Sequence, residues 1–429
     1  MTQQPDPGRS WRLGLVLALT LFTAGLGVLF RNPQLTALAE ALALLLALSW
    51  LSARLALAGL RVARRAPAQA SEDEWIPIQL EVAQAAPLVG QRVELADRFA
   101  ADPLFQRAEL IATLAPGQRR ELLFERPCAR GRGVFALGPV ELAISDPLGL
   151  FRLVRQEPLP GEVVVYPRPL PLRALGLVAA LEQSLSGEGS RPRPGPGTQL
   201  LGLRELRPGE RAQRIHWRAS ARLSRLVVPE HEAPSRSEAT LFLDLSRQSL
   251  RGVGRGSNVE TAIRLGAAVV HYALDRGHSC GLVCDDGEPR VIAPRRGRRQ
   301  RVALLDALAR LQPRGEVPLL DLLERGGPLA PRGGCAVIVL NRVLLDGERF
   351  AAVWAAWQRR GVRCLAFVVD DTRLLQHDWA SGAERGEPAP ALLARLGIPC
   401  LEVASAAGPD DANPEQARAD EPRSTEARA

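Results

Sequence analysis

An aspartate and a serine at the end of a predicted strand have the chemistry to hold a metal ion. Asp244 and Ser246 occur in "FLDLSRQS", directly after a short apolar run. Ligands bind at the carboxyl ends of strands in open parallel sheets, and carboxylate and hydroxyl oxygens are hard ligands of the kind that Mg²⁺ prefers. The alternative is that both side chains cap a loop or a helix. The sequence suggests no other cofactor.

A second candidate site is the arginine-rich stretch "GLRELRPGERAQRIHWRASARLSR", residues 202–225. Its Pro-Gly pair predicts a turn, and the helix formers that follow predict a helix over 210–222. Arginines recur there at intervals of three or four residues, which would place them on one helix face: Arg211, Arg214, Arg218, Arg222 and Arg225. Guanidinium groups suit carboxylates and phosphates. The stretch therefore predicts a surface for an acidic partner, and the alternative is a solvated helix face.

The same stretch allows a catalytic alternative. His216 could act as a general base near neutral pH, with Glu205 or Asp244 orienting it. Trp217 favours an interface instead, since tryptophan is frequent at interaction hot spots. Nucleic acid is not an expected partner, because the stretch lacks aromatic interleaving and any recognised binding motif. The residues predicted to contact a protein partner are Arg204, Arg207, Arg211, Arg214, His216, Trp217, Arg218, Ser220 and Arg222.

Other patterns exclude several classes of chemistry. "GHSCG" at 277–281 matches the nucleophile elbow, but its serine follows a predicted helix and precedes a strand, the reverse of the required order. The chain has no lysine, so its net charge of +8 is carried by arginine, and lysine-dependent phosphate loops and Schiff bases are excluded. The six cysteines are scattered, which favours buried, reduced thiols over a zinc site.

The elements around Asp244 alternate between strand and helix over residues 236–405. Apolar runs such as "CAVIVLN" predict buried strands, and Ser257 with Glu260 predicts a capping box. The pattern predicts a doubly wound, mostly parallel sheet. The order of elements and the D-x-S motif resemble the von Willebrand factor type A domain. Gln248 and Asn341 stand where that family has a serine and an aspartate, which weakens the metal prediction.

Two apolar runs near the N-terminus, residues 13–30 and 35–53, are each long enough to cross a membrane as a helix, although Glu40 interrupts the second. Residues 13–59 are therefore predicted to form two transmembrane helices. Arginines flank the outer ends of this pair, whereas the turn between the helices carries only Arg31. The positive-inside rule then places residues 1–12 and all soluble domains in the cytoplasm.

The remaining segments differ in composition. Residues 72–167 contain short alternating apolar runs between turns, which predicts an antiparallel β-sandwich. Residues 168–201 end in a Pro/Gly/Ser-rich stretch and are predicted to be a flexible connector to the arginine-rich segment, 202–232. Residues 406–429 are polar and net acidic and are predicted to be disordered. The predicted fold class is thus α/β plus all-β: a transmembrane hairpin, a β-sandwich and a doubly wound type A-like domain.

The arginine-rich segment resembles the signature of a bacterial family named domain of unknown function 58. The matching positions are Arg204, Glu205, Pro208, Gly209, Arg214, Ile215, His216, Trp217, Ser220, Ala221 and Arg222. The stretch "RGVFALGPVELAISDPLGLFR" and the predicted hairpin are also similar to that family. The resemblance implies a multi-pass accessory or assembly factor of the bacterial inner (plasma) membrane, associated with MoxR-type AAA+ ATPases and without an established reaction.

We therefore expect a non-enzymatic scaffold that presents its type A-like domain to an acidic protein, with a MoxR-type ATPase as the candidate partner. Two alternatives stay open at this stage. One is an enzyme that uses His216 as a general base. The other is a module that binds a ligand through a divalent cation at Asp244 and Ser246.

Overall fold

The computed structural model describes residues 7–86, 91–102, 110–186, 200–207, 215–231, 237–341, 344–370 and 387–405. The chain divides into two compact units, Met1–Tyr166 and Pro167–Ala429. Each unit has its own buried apolar clusters. The tail predicted to be disordered, residues 406–429, lies outside the described residues.

The N-terminal unit begins with two apolar helices, α1 (Pro7–Leu29) and α2 (Pro33–Gly59). Both are long and apolar enough to cross a membrane, as judged by length and composition. Asn32 caps α2, because its side chain accepts a hydrogen bond from the Gln34 N–H at 2.9 Å. Most large apolar side chains of the two helices are exposed. A lipid environment would cover such surfaces, whereas water would not.

Strands follow α2 directly. They are β1 (Leu60–Arg65), β2 (Gln69–Ser71), β3 (Trp75–Gln84), β4 (Gln91–Phe99), β5 (Leu110–Leu114), β6 (Arg119–Pro127), β7 (Gly133–Ser145), β8 (Arg152–Glu157) and β9 (Gly161–Tyr166). One sheet has the order β1-β3-β6, and the other has the order β2-β9-β7-β4-β5, with β8 paired to β7. Leu80 of β3 and Leu142 of β7 share one buried cluster, as expected for packed sheets. This β-domain begins at Leu60, earlier than the predicted residue 72.

The C-terminal unit contains more helices. Its elements are α3 (Val178–Ser186), β10 (Leu200–Glu205), α4 (Trp217–Leu223), β11 (Val227–His231), β12 (Glu238–Leu243), α5 (Asn258–Asp275), β13 (Ser279–Asp285), β14 (Pro289–Arg295), α6 (Arg298–Arg310), α7 (Leu319–Gly326), β15 (Cys335–Asn341), β16 (Leu344–Leu345), α8 (Gly347–Arg359), β17 (Arg363–Asp370), β18 (Glu387–Pro388), α9 (Ala389–Arg395) and β19 (Cys400–Ala404). Ser257 caps α5 by accepting from the Glu260 N–H, as predicted.

The main sheet of this unit has the order β14-β13-β12-β15-β17-β19. Its pairings are parallel except for β14, which is antiparallel at one edge. Helices cover both faces. Leu241 and Leu243 of β12 face Gly266 of α5, where a side-chain carbon would lie only 3.1 Å from Leu241. Phe242 points to the opposite face and contacts the ring of Trp357 on α8, with centroids 5.4 Å apart.

The first part of the predicted flexible connector is instead packed structure. The nine-residue helix α3 lies within it, and Leu181 and Leu185 of that helix are fully buried. Arg363 of β17 donates hydrogen bonds to the carbonyls of Ser184 and Leu185 at 2.7 and 3.0 Å. The prediction of a flexible connector rested on the Pro/Gly-rich composition of the neighbouring sequence, and composition does not indicate a contact between positions this far apart in the chain. Residues 187–199 of the connector lie outside the described residues.

Candidate functional site

The family-signature residues form a β-hairpin whose connection carries a short helix. β10 pairs with β11 in an antiparallel register, and α4 precedes β11. The buried side chain of Ser220 fastens the helix, because its hydroxyl accepts a hydrogen bond from the Val227 N–H at 3.0 Å. Ile215 is also buried. We call residues 200–207 and 215–231 the signature hairpin.

The predicted helix over 210–222 is wrong at its start. The helix begins at Trp217, and His216 is its N-cap, with Nδ1 accepting a hydrogen bond from the Ala219 N–H at 3.2 Å. A side chain that bonds to the backbone in this way ends a helix that propensity alone would extend. Residues 208–214 lie outside the described residues. Of the described arginines in the predicted row, Arg218 and Arg222 lie on α4, whereas Arg225 lies beyond its end.

Two arginines of the signature do share a face. Arg218 and Arg222 are exposed one turn apart on α4, and within the described part of the chain neither side chain has an ion-pair or hydrogen-bond partner. Like charges at this spacing cost a few tenths of a kcal/mol, roughly. Trp217 beside them is 65% exposed, and Leu223 and Leu226 are exposed as well. We call these five residues the Trp-Arg face.

The other predicted arginines have different surroundings. Arg225 forms an ion pair with Glu205 at 2.6 Å. Arg204 is half-buried on β10 and donates to the Glu205 carbonyl at 3.0 Å. Arg207 lies just after β10, where it is exposed, and it is not free of interactions. Arg211 and Arg214 lie outside the described residues.

His216 has an exposed side chain and a structural task. Its Nδ1 caps α4, and its predicted orienting partner Glu205 is already paired with Arg225. Asp244, the other predicted partner, is buried at the end of a strand. Across the described ranges, no hydrogen bond joins His216 to either carboxylate. Within the described residues His216 therefore serves as an N-cap, and its use as a general base stays a prediction.

The residues predicted to bind a metal lie in a buried polar cluster where β12 and β15 end. Asp244 Oδ1 accepts a hydrogen bond from the Ser246 N–H at 3.1 Å, and the carboxyl also accepts from the Ser249 side chain and the Asn341 backbone. Burial raises the pKa of Asp244, although these hydrogen bonds act in the opposite direction. The Ser246 hydroxyl accepts from the Gln248 N–H at 3.2 Å and so caps a short 3-10 turn, Arg247–Ser249.

The cluster includes two residues that the sequence analysis missed, Ser249 and Asn258. Ser249 accepts a hydrogen bond from the Asn341 Nδ2 at 3.1 Å, and its carbonyl accepts from the Asn258 Nδ2 at 2.7 Å. For Ser249, the recurrence of serine three positions after Ser246 was the signal in the sequence that could have indicated it. Asn341 Oδ1 is buried, and among the described residues it has no hydrogen-bond partner.

This cluster is poorer in carboxylates than the usual site of a divalent cation. Asp244 is its only carboxylate, and nowhere in the described ranges do three or more His, Cys, Asp or Glu side chains form a group that could hold a metal. Mg²⁺ and Ca²⁺ prefer several oxygen ligands, carboxylates among them. The observed hydrogen bonds favour the alternative that Asp244 and Ser246 cap local structure. Metal binding at these two residues stays a prediction.

The cysteines have the surroundings of core residues. All six are free, and five of them are buried. Burial raises the pKa of the Cys280, Cys284 and Cys335 thiols to about 12. Since the thiolate is the nucleophile and the metal ligand, these side chains are suited to neither task at neutral pH.

The signature hairpin also marks the start of a family match. The model of the family described as "Protein of unknown function DUF58" matches residues 202–373, from β10 to just past β17. The match supports the DUF58 family that the signature residues indicated. A comparison with curated proteins gave no match.

Several solved structures are similar to parts of the chain. A CARDB domain from Pyrococcus furiosus is 12% identical, covers 25% of this chain and 91% of its own, and has a TM-score of 0.19. Alpha-2-macroglobulin from Escherichia coli is 14% identical over 26% of this chain and 17% of its own, with a TM-score of 0.22. A FixG-related protein from Vibrio parahaemolyticus is 8% identical over 25% and 96%, with a TM-score of 0.17. Similarity at this level supports no argument about fold or function.

Proposed function

We propose that the protein is a membrane-anchored, non-enzymatic scaffold that binds an acidic protein through the Trp-Arg face. The observation that carries this proposal is the pair Arg218 and Arg222, exposed at the spacing of one turn and beside a tryptophan that is 65% exposed. An acidic partner would relieve the repulsion between the two guanidinium groups. Arginine also offers a carboxylate two parallel hydrogen bonds, which adds geometric specificity.

The apolar part of the same face favours a protein over other polyanions. Leu223 and Leu226, which follow Arg222 in the sequence, are 47% and 49% exposed, and Trp217 directly precedes Arg218. Interfaces between proteins combine an apolar centre with tryptophan and arginine hot spots. A nucleic acid would instead select for a wider field of positive charge interleaved with aromatic side chains.

The membrane part of the proposal rests on α1 and α2. If these helices span the bilayer, the arginine-rich ends Arg12, Arg54 and Arg61 place the β-domain and the signature hairpin in the cytoplasm. The family resemblance then suggests the class of partner, a MoxR-type AAA+ ATPase at the inner membrane. Such a partner would need an acidic surface with an apolar centre to match the Trp-Arg face.

Charge reversal in the full chain tests the proposal. We expect Arg218→Glu with Arg222→Glu to reduce the crosslinked partner recovered from native membranes by about tenfold at low ionic strength. The matched control is Arg298→Glu with Arg299→Glu, which reverses two exposed arginines on α6 and leaves α4 intact. Equal recovery of every partner from the Arg218 and Arg222 variant and from the control would contradict the proposal.

A further inference from the structure

The last turns of α2 are part of the β-domain core. Ala53 and Ala56 are fully buried in a cluster with side chains of the strands. Arg155 of β8 covers the end of the helix, where its guanidinium donates to the carbonyls of Leu57 and Leu60 at 3.0 and 2.8 Å. The Leu57 carbonyl also accepts from the backbone N–H of Leu60, the C-cap, so the arginine adds a second donor where the helix ends. Helix α2 and the β-domain therefore form one packed body.

The turn between β7 and β8, residues 146–151, lies against both apolar helices. The Ser49 hydroxyl of α2 donates to Asp146 Oδ2 at 2.5 Å, and the buried carboxylate accepts two further bonds from backbone N–H groups of the turn. A side-chain carbon at Gly149 would lie 4.0 Å from Nη1 of Arg12 in α1. We call this segment the β7–β8 turn.

The two tryptophans of the helices mark the same level. Gly27 of α1 contacts Thr36 of α2 near the connection between the helices. Trp11 precedes Gly27 by as many residues as Ser52 follows Thr36, so in an antiparallel pair Trp11 lies level with Ser52 and close to the level of Trp50. Trp11 and Trp50 are 57% and 41% exposed.

Both tryptophans carry an arginine over the ring. The guanidinium carbon of Arg12 is 5.9 Å from the Trp11 ring centroid, and that of Arg54 is 5.2 Å from the Trp50 ring centroid. Tryptophan and arginine are enriched where a membrane protein meets the lipid headgroups. The level of Trp11 and Trp50, and hence of the β7–β8 turn, has the composition of a membrane–water interface.

The length of α2 gives an independent estimate of the depth of Ser49 in the bilayer. From Pro33 to Ser49 the helix rises roughly 24 Å at about 1.5 Å per residue, which is less than the roughly 30 Å thickness of a hydrocarbon core. If the polar connection at Asn32 reaches one surface, Ser49 lies roughly 6 Å short of the opposite edge of the hydrocarbon core, measured along the helix. The β7–β8 turn beside Ser49 then lies near that edge, where the headgroup region begins.

We propose that the β7–β8 turn is a membrane-contact site that inserts Leu148 among the lipid headgroups. Leu148 is 50% exposed in the turn and has no apolar cover there among the described clusters. The occupant is a lipid surface rather than a protein, because the turn is continuous with helices whose exposed side chains are apolar. This inference rests on the proposed membrane insertion of α1 and α2. It adds a second attachment, which fixes the orientation of the β-domain on the bilayer.

Depth-dependent fluorescence quenching in the full chain tests the inference. Position 148 is labelled through Leu148→Cys with an environment-sensitive dye, in a Cys400→Ser background, because the other cysteines are buried. The protein is reconstituted in bilayers that carry spin labels in the headgroup region or deep in the acyl chains. Leu44→Cys on α2 and Leu123→Cys on β6 are the controls, since both leucines are exposed, at 60% and 72%.

We expect headgroup spin labels to remove about half of the fluorescence at position 148 and about a tenth at position 123, whereas deep labels act most strongly at position 44. Quenching at 44 with none at 148 would overturn the proposed membrane contact and leave the membrane hairpin intact. Absence of quenching at 44 would overturn the hairpin and the contact together.

Discussion

The Ser49 hydroxyl donates a 2.5 Å hydrogen bond to the Asp146 carboxylate, which joins an apolar helix to a turn of the β-domain. The bond lies in a buried setting, since both residues are almost wholly inaccessible to solvent. Without the Ser49 donor, the buried carboxylate would keep only its two backbone donors, and a lost hydrogen bond to a buried charged group costs more than an exposed bond is worth. The bond therefore contributes to the rigid connection between α2 and the β-domain.

Removing this donor should destabilise the N-terminal unit. We expect Ser49→Ala to lower the free energy of unfolding by about 1–3 kcal/mol, as measured by thermal or denaturant unfolding of the full chain in a fixed detergent. Ser52→Ala is the matched control, because among the described residues the Ser52 hydroxyl bonds only to the Ser49 carbonyl of its own helix, at 2.8 Å. Equal losses of unfolding free energy in the two variants would show that the Ser49–Asp146 bond does not stabilise the unit more than a bond within the helix does.

Substitutions at His216 separate the scaffold from the enzyme alternative. His216→Ala removes the N-cap of α4 and should destabilise the signature hairpin by about 1 kcal/mol, whereas His216→Asn keeps a favourable N-cap and removes the imidazole. We expect His216→Asn to keep partner recovery from membranes at the wild-type level. Loss of partner recovery in a His216→Asn protein that keeps the wild-type melting temperature would instead give the imidazole a direct role beyond capping the helix.

A buried histidine makes the C-terminal unit sensitive to acid. Burial is the main cause that lowers the pKa of His278, and the positive charges of Arg276, Arg296 and Arg363 lower it further, against a smaller opposing effect of Glu182. Its Nδ1 accepts a hydrogen bond from the Ser237 N–H at 3.0 Å, which requires that nitrogen to be unprotonated.

The unfolded chain consequently binds a proton at His278 more readily than the folded chain does. The stability that this group contributes is present above its ordinary pKa of about 6.5 and is lost as the pH falls from there through the lowered pKa of the folded state. We expect His278→Asn, whose amide oxygen can still accept a hydrogen bond, to flatten this loss in denaturant unfolding between about pH 7.5 and about pH 5. If the slope of unfolding free energy against pH were unchanged in this variant, His278 would not be the cause of the loss.

Divalent cations should have little effect on the strand-end cluster, because the side chains of Asp244 and Ser246 already accept hydrogen bonds from the backbone N–H groups of Ser246 and Gln248. We expect Mg²⁺ at about 5 mM to leave the melting temperature unchanged within about 1 °C. Asp244→Asn serves as the control for any ion effect elsewhere in the chain. A Mg²⁺-dependent rise that disappears in Asp244→Asn would establish the metal site that the sequence suggested.

The sequence predicted the elements whose signals are local and strong. Apolar runs such as "CAVIVLN" are strands of the main sheet, and the capping box at Ser257 starts α5 as expected. The apolar lengths of α1 and α2 were also evident from composition. In each case the determining residues are neighbours along the chain.

Prediction failed where partners are distant in the sequence. Helix α3 is held by Arg363, and the carboxyl group of Asp146 is matched to Ser49 across almost a hundred residues. No periodicity encodes such pairs. Propensity also extended α4 too far, because an N-cap histidine is an uncommon stop that helix scales do not weigh.

Photo-crosslinking from position 217 in native membranes tests the proposed contact of the Trp-Arg face most directly. With a photoreactive residue in place of Trp217 in the full chain, we predict an adduct with one acidic protein. Its yield should fall by about tenfold when Arg218 and Arg222 are changed to Glu, and stay constant when Arg298 and Arg299 are changed. Recognition of an acidic partner by this face would be contradicted if the adduct yield were the same with either pair of arginines changed. It would also be contradicted if no protein adduct formed.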